Sequence, residues 1–343
     1  MFRDFRDQWT PVVPGRAVRG ETPLALELAG ERIVLFRSKG KVAALLDRCP
    51  HRGVALSLGS VTPEGRLECP FHGWQFGPNG VCEEVPLATV RPEQRERFGA
   101  RALPVREIGG LVWLRTSLVD TAFASGAPDE PDVPEALRDE GWSRWFYVAP
   151  WKTHWTRAME NMLDYPHLPF IHRKTIGRDI RSKRREGSVM AVRSQPEPYG
   201  ARISATLDGE SLGTGLDWRR PNGMVLYLSE RAGRRYRQHV YCVPANATTT
   251  HMLVVTGRDF GHHNPLLRLL DETNRIIIRE DQRVVESSQP AEVPPAGDEK
   301  SVASDGPTLL FRRYYYDTLK TGDGPLMALG RAAAALGARS TEG

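Results

Sequence analysis

Within CPHRGVALSLGSVTPEGRLECPFHGW, residues 49–74, two of the chain's four cysteines and two of its nine histidines are set out as Cys49-x-His51 and Cys69-x-x-His72. Thiolates and imidazoles in two short pairs separated by a loop suit zinc, or a [2Fe–2S] cluster with cysteines on one iron and histidines on the other. A second set of donors, Asp164, His167 and His172, lies in ENMLDYPHLPFIH, residues 160–172. Five residues turn roughly 500° on a regular helix, so His167 and His172 would diverge. Pro169 lies between them, and its missing backbone donor is expected to end or distort the helix and bring both rings to one point. Asp164 stands at an i, i+3 step from His167, close enough to orient the imidazole.

A third ligand to such a pair should be a carboxylate, because two histidines and one carboxylate leave positions on Fe(II) open for dioxygen. RLLDETNRIIIREDQRVVESS supplies candidates. Asp281 has Ile277, Ile278, Val284 and Val285 at its i±3 and i±4 positions, whereas Glu280 has Arg283 among its neighbours. A carboxylate on an apolar face is costly unless it is paired or bound to metal. Asp281 is therefore preferred to Glu280 and Glu286.

The elements that must position these groups follow from patterning. ERIVLFRSKGKVAALLDR reads as two strands about Ser38-Lys39-Gly40, and REIGGLVWLRT as two more about Gly109-Gly110, which makes residues 1–120 a small β domain. TSLVDTAFASGAPDEPDVPEAL is rich in Pro, Asp and Ala and suits a surface connection, placed at 121–140. Residues 141–343 read as a second, α+β domain. Its elements are a helix across THWTRAMENMLDYPH and β-prone runs at SVMAVRS, ARISATLD, GMVLYLSE, HVYCVP and HMLVVTGRD. A long helix is expected from about Leu266 to Ser287, and a final one over ALGRAAAALGARSTEG.

At 343 residues, 40% apolar and 26% charged, the chain can bury two cores. Its 47 basic residues exceed its 42 acidic ones only slightly and are scattered, so no nucleic-acid partner is expected. No apolar run reaches the roughly 18–20 residues of a membrane span, and MFRDFRDQWTP lacks the apolar core of a signal peptide. A cytoplasmic protein without a disulfide framework is expected. The run RKTIGRDIRSKRREG, residues 173–187, reads first as a solvated loop, and otherwise as a dock for an acidic redox partner or an entry for an anionic substrate. Cys82 and Cys242 read as ordinary buried or half-buried thiols, His262 and His263 as a polar turn, and Trp74 as packing over the loop that would hold a cluster.

The two loops Cys-Pro-His-Arg-Gly and Cys-Pro-Phe-His-Gly-Trp resemble those of Rieske iron–sulfur proteins, with Cys49, His51, Cys69 and His72 matching the cluster ligands. High-potential respiratory members are similar to one another in a disulfide between the loops and in Ser and Tyr hydroxyls that donate to sulfur. Here those positions hold Val54, Phe71, Trp74 and Phe76, which implies a potential toward the low end of roughly −150 to +300 mV. With the second motif, the chain resembles over nearly its whole length the catalytic component of the Rieske non-haem iron oxygenases, of the shorter vanillate and dicamba demethylase type.

That resemblance implies an all-β cluster domain followed by a catalytic domain with an antiparallel sheet, and a mononuclear Fe(II) held by His167, His172 and Asp281. It implies electrons from NAD(P)H through a separate reductase, directly or by a ferredoxin, and dioxygen as co-substrate. A homotrimer is implied, in which Asp164 bridges His72 of one subunit and His167 of the next, with Asn161 in support. The reaction implied is hydroxylation or oxidative demethylation of a small aromatic or alicyclic compound. Ring cis-dihydroxylation is the alternative, and an electron carrier without oxygenase activity is a further one.

Overall fold

The computed structural model describes residues 1–119, 130–231, 233–262, 264 and 267–321. The expected final helix at 328–343, residues 121–129 of the expected connection and His263 lie outside the described residues. The chain divides into two compact units, Met1–Asp132 and Val133–Tyr316, and Asp317 with the described residues after it belongs to the first.

The first unit is built from antiparallel strands. These are β1 (Trp9–Pro14), β2 (Leu24–Leu28), β3 (Glu31–Ser38), β4 (Lys41–Leu46), β5 (Ser60–Val61), β6 (Leu67–Glu68), β7 (Gln75–Phe76), β8 (Cys82–Glu84), β9 (Val105–Ile108) and β10 (Leu111–Arg115). They form three sheets, β1-β10-β9, β2-β3-β4 and β5-β6-β7-β8. Both hairpins expected from the turn signals are present, β3 with β4 and β9 with β10. Ile33, Val34, Leu35 and Phe36 are wholly buried, so β3 is covered on both faces and its apolar residues do not alternate with polar ones. A core of Val34, Phe36, Leu45, Leu56, Leu67 and Phe76 includes the thiol-bearing residues Cys49 and Cys69. A short helix, α1 (Pro92–Arg95), lies between β8 and β9.

The second unit opens with α2 (Glu135–Arg138), which buries Ala136 and Leu137. The expected connection therefore gives way to packed structure before residue 140. A seven-stranded antiparallel sheet follows, built from β11 (Ser143–Trp151), β12 (Met190–Glu197), β13 (Gly200–Leu207), β14 (Glu210–Arg219), β15 (Gly223–Arg231), β16 (Arg234–Pro244) and β17 (Thr250–Arg258), in the order β11-β17-β16-β15-β14-β13-β12. Five of these strands coincide with the β-prone runs. The other two escape a reading by propensity. β11 contains Pro150, which is tolerated because the strand is an edge, and β14 contains Gly213 and Gly215, which weaken its local signal.

Five further helices complete the unit: α3 (Trp155–Leu163), α4 (Leu168–Ile171), α5 (Arg178–Lys183), α6 (Arg268–Val285) and α7 (Gly306–Tyr314). α6 packs against β11 and α3. Among the described residues no helix is long and apolar enough to cross a membrane.

The helix break corrects the sequence expectation. α3 stops at Leu163, and Asp164 is already extended at φ −86°, ψ 136°. Pro166 is the nearer cause, since a proline disfavours helix at the residue before it. Pro169 instead sits in the first turn of α4, where its missing N–H costs nothing.

Candidate metal centres

In the first unit the two cysteine loops are one backbone turn made twice. The Cys49 N–H donates to Val54 O and the Gly53 N–H to Cys49 O, each at 2.8 Å; the Cys69 N–H donates to Trp74 O at 2.8 Å and the Gly73 N–H to Cys69 O at 3.0 Å. Each turn closes through a glycine at positive φ, +73° at Gly53 and +68° at Gly73. A β-carbon on Gly73 would also come within 3.1 Å of the Pro86 ring. The repeated turn points two cysteines inward, both 2% exposed, and presents two histidines beyond them.

The His51 and His72 rings lie 4.7 Å apart, and Trp74 stacks on His51 at 4.7 Å and 5°. Trp74 thus packs where the sequence placed it. His51 Nδ1 is buried and has no hydrogen-bond partner, which leaves its lone pair for a metal. Burial, together with the neighbouring Cys69, pushes the Cys49 thiol up to about 11. Two buried thiols and two imidazoles are the donor set of a [2Fe–2S] cluster with mixed ligation, and the site fits that group. The four cysteines form no disulfide.

In the second unit the short helix α4 places one histidine at each of its ends, His167 before it and His172 after it. The ligand atoms of His167, His172 and Asp281 all lie within 4.8 Å of one another. His172 Nε2 is 3.0 Å and His167 Nε2 3.6 Å from Asp281 Oδ1, and the two rings are 5.2 Å apart. The remaining ring nitrogens face carboxylates: His167 Nδ1 meets Asp164 Oδ2 at 3.0 Å, and His172 Nδ1 meets Glu280 Oε2 at 2.8 Å. Each Nδ1 proton is therefore donated outward, and both Nε2 lone pairs turn toward Asp281.

Asp281 Oδ1 is consequently a buried acceptor with no hydrogen bond, despite its short contact to His172. In the neutral tautomer that the two outward carboxylates favour, three lone-pair atoms face one another, an arrangement that suits a divalent cation, so the site fits a mononuclear iron. Burial works against protonation of His172, but the Asp281 and Glu280 carboxylates outweigh it and hold the imidazole above its usual pKa.

Glu280, the acid not preferred as a ligand, does not face the other three. It acts one step out, accepting from His172 Nδ1 and, at 2.8 Å, from Thr175 Oγ1. Nothing local signals this role, because His172 lies 108 positions away in the chain. Glu286 accepts from the Lys152 N–H at 2.8 Å, away from the three. Val284, counted as an apolar neighbour of Asp281, is exposed, whereas Ile277, Ile278 and Val285 are buried.

A cavity of about 220 Å³ adjoins the triad. Asn161, Asp164, His167, His172 and Asp281 line it together with apolar side chains of β14, β15, β16 and α6. Asn161 Nδ2 is buried there without a hydrogen-bond partner. The run 173–187 contains α5, with Asp179 paired to Lys183 at 2.8 Å and Arg184 over the Phe170 ring; to the cavity wall it contributes Ile176, Asp179 and Ile180. Cys82 and Cys242 are buried thiols, and His262 bonds Ser143 at 2.7 Å.

Comparison with known proteins follows the same division. Residues 8–95 match the Rieske [2Fe-2S] domain family, and residues 151–320 match the vanillate O-demethylase oxygenase C-terminal domain family. The chain is 27% identical over 307 residues to methylxanthine N1-demethylase NdmA of Pseudomonas putida, covering 85% of this chain and 81% of that protein. It is 33% identical over 172 residues to the 3-chlorobenzoate-3,4-dioxygenase oxygenase subunit of Comamonas testosteroni, covering 49% of this chain and 38% of that one. The crystal structure of dicamba monooxygenase bound to dicamba shares the fold, with a TM-score of 0.72 and 21% identity over 92% of this chain and 98% of that one.

Proposed function

We propose that this chain, which belongs to the Rieske non-haem iron oxygenases, is an oxygenase component that hydroxylates or oxidatively demethylates a small aromatic or alicyclic compound. The observation that carries this reading is the convergence of His167 Nε2, His172 Nε2 and Asp281 Oδ1 on the wall of an apolar cavity. When bound, the two iron centres supply reductive activation of dioxygen.

The chain's own residues have separate tasks in this proposal. Cys49, His51, Cys69 and His72 hold the cluster, and His167, His172 and Asp281 hold the mononuclear iron. Asp164 and Glu280 fix the tautomer and the angle of the two imidazoles. Asp164, one-quarter exposed, has a free side on which to meet His72 of a neighbouring subunit, as a homotrimer would require. Asn161 supports the iron end of the cavity. The apolar wall excludes water from the reacting bond.

For a methoxy or N-methyl substrate the balance is one dioxygen, two electrons and two protons giving the demethylated product, formaldehyde and water. The electrons come from NAD(P)H through a separate reductase or a ferredoxin, in a cytoplasmic setting. The C-terminal family match and the demethylase relative favour monooxygenation. The likeness to a dioxygenase subunit supports cis-dihydroxylation as the second reading.

Anaerobic purification with iron, labile sulfide and EPR analysis tests the proposal. The expected result is about two irons in the cluster and one outside it, with the single iron lost in Asp281→Ala and the Rieske signal kept. Two irons untouched by that substitution would leave only an electron carrier. Formaldehyde formed with oxygen uptake marks demethylation, and a cis-diol marks the dioxygenase reading.

A further inference from the structure

Two amides on the cavity wall carry a buried donor without a hydrogen-bond partner, Asn161 beside the segment that bears the histidines and Gln238 on the sheet, and iron chemistry has no use for the second. Gln238 lies mid-strand on β16, paired in register with Leu226 on β15 and Thr256 on β17. It is 4% exposed, it lines the cavity, and its Nε2 has no hydrogen-bond partner. The cavity residues nearest it in register, Met224, Leu226 and Val240, are all apolar. A buried amide N–H without an acceptor carries a desolvation penalty that a leucine at the same place would avoid. A donor left unsatisfied on the wall of a binding cavity is what a ligand acceptor would satisfy.

Charge narrows the ligand further. Among the described residues, the ionisable groups of the lining apart from the two histidines and Tyr165 are Asp164, Asp179 and Asp281, with no lysine or arginine. A carboxylate substrate would therefore find no basic side chain on that wall; of the three acids, Asp281 would be offset by the iron it holds and Asp179 is paired with Lys183, which leaves Asp164 as the charge of its own sign. The basic run 173–187 does not supply one, since its share of the wall is Ile176, Asp179 and Ile180. The volume, about 220 Å³, lies below the roughly 300–1,000 Å³ of pockets for drug-sized ligands, so one ring or a fused pair fills it.

We propose that the substrate is a neutral, mostly apolar ring compound bearing a carbonyl or equivalent acceptor, and that Gln238 Nε2 selects it by donating to that acceptor. This rests on the oxygenase reading above and specifies its substrate class. Gln238 is thus a specificity-determining residue placed by the sheet, independent of the metal ligands.

The test uses the full chain, loaded with cluster and iron and held anaerobic, with binding measured by calorimetry. The probes are 4-methoxyacetophenone, its alkyl analogue 4-isopropylanisole, and the anion 4-methoxybenzoate. The ketone is expected to bind at least about ten-fold more tightly than either of the others. Gln238→Leu should erase that preference while leaving the melting temperature of the unliganded protein unchanged or higher, because it deletes a buried orphan donor. A residue with a merely structural role would instead lower it. Gln238→Met, unbranched and close in volume, repeats the measurement if leucine packs badly.

Equal binding of ketone and alkyl analogue, tighter binding of the anion, no detectable binding of the ketone, or a preference that survives Gln238→Leu each overturns the proposal. The iron count on the same sample separates the two failures. A protein that takes up the third iron but shows no acceptor preference refutes the role of Gln238 alone, and one that takes up none refutes the oxygenase reading beneath it.

Discussion

Replacing Glu280 with alanine tests the mononuclear site through a residue that does not touch the metal. In the wild-type chain Glu280 Oε2 holds His172 Nδ1 at 2.8 Å and Thr175 Oγ1 at 2.8 Å. His172 itself is 1% exposed and Glu280 26%, so what can take the lost acceptor's place is water from the solvent side, without the carboxylate's charge. Without the carboxylate the ring can take its other tautomer and put a proton on Nε2, the atom that faces Asp281. Deleting such an outer partner costs about 10- to 100-fold in metal affinity, or about 1.4–2.8 kcal/mol at 1.4 kcal/mol per tenfold. Losing a hydrogen bond to a charged group, about 1.5–3 kcal/mol, gives the same range independently. Glu280→Gln keeps an acceptor without its charge and should fall between alanine and wild type.

Anaerobic competition for Fe(II) against a calibrated chelator measures this, with the cluster's EPR signal as an internal control on folding. Iron affinity within about twofold of wild type in Glu280→Ala would refute the reasoning, since packing alone would then be holding His172. Parallel loss of the cluster signal would show a general collapse instead of a local change.

Three further outcomes rest on other contacts of the chain. Arg312, 7% exposed, bonds Glu160 and Glu299, while Arg157 bonds the same two acids; Arg312→Met should cost about 3–5 kcal/mol in urea unfolding, and adding Glu160→Met should recover much of it, because a buried pair replaced as a whole is nearly neutral. Burial, then the charges of Arg219, Arg237 and Arg144, hold the His239 imidazole down at about 3. The unfolded chain takes up that proton near pH 6.5 and the folded chain does not, so stability is full above pH 6.5 and falls by about 1.4 kcal/mol per pH unit below it, and thermal melts of His239→Leu should lack that slope. Gly73→Ala, strained at φ +68° and crowded by Pro86, should lower labile sulfide and the EPR signal while the iron of the second unit stays; unchanged cluster content would show that the turn tolerates a side chain.

What could be read from the chain differs from what could not in the range of the interactions involved. The cysteine loops are legible because ligand, turn glycine and flanking proline lie within six residues of one another. Asp281 is legible because burial of one helix face shows in i±3 and i±4 neighbours, even though Val284 turned out exposed. The hairpins about Lys39-Gly40 and Gly109-Gly110 are local in the same sense. Glu280 and Gln238 are not, since the meaning of each comes from partners or cavity walls far along the sequence. β11 and β14 were hidden by Pro150 and by glycines whose cost the sheet absorbs. The helix break was assigned to Pro169 because it lies between the histidines, whereas Pro166 does the breaking and Pro169 starts the next turn.

β16 sets Gln238 against the cavity beside the triad, while its neighbour His239 faces a separate polar recess on the other side of the sheet. Because side chains alternate along a strand with period two, these two environments are assigned by parity alone. One residue inserted or deleted between Arg234 and Gln238 would shift the frame, bringing an imidazole to the wall beside His167, His172 and Asp281 and sending the amide to the far side. For this strand a change of length is therefore a change of chemistry, and libraries meant to alter selectivity should vary the residue at 238 while keeping the residue count from the β15–β16 turn constant.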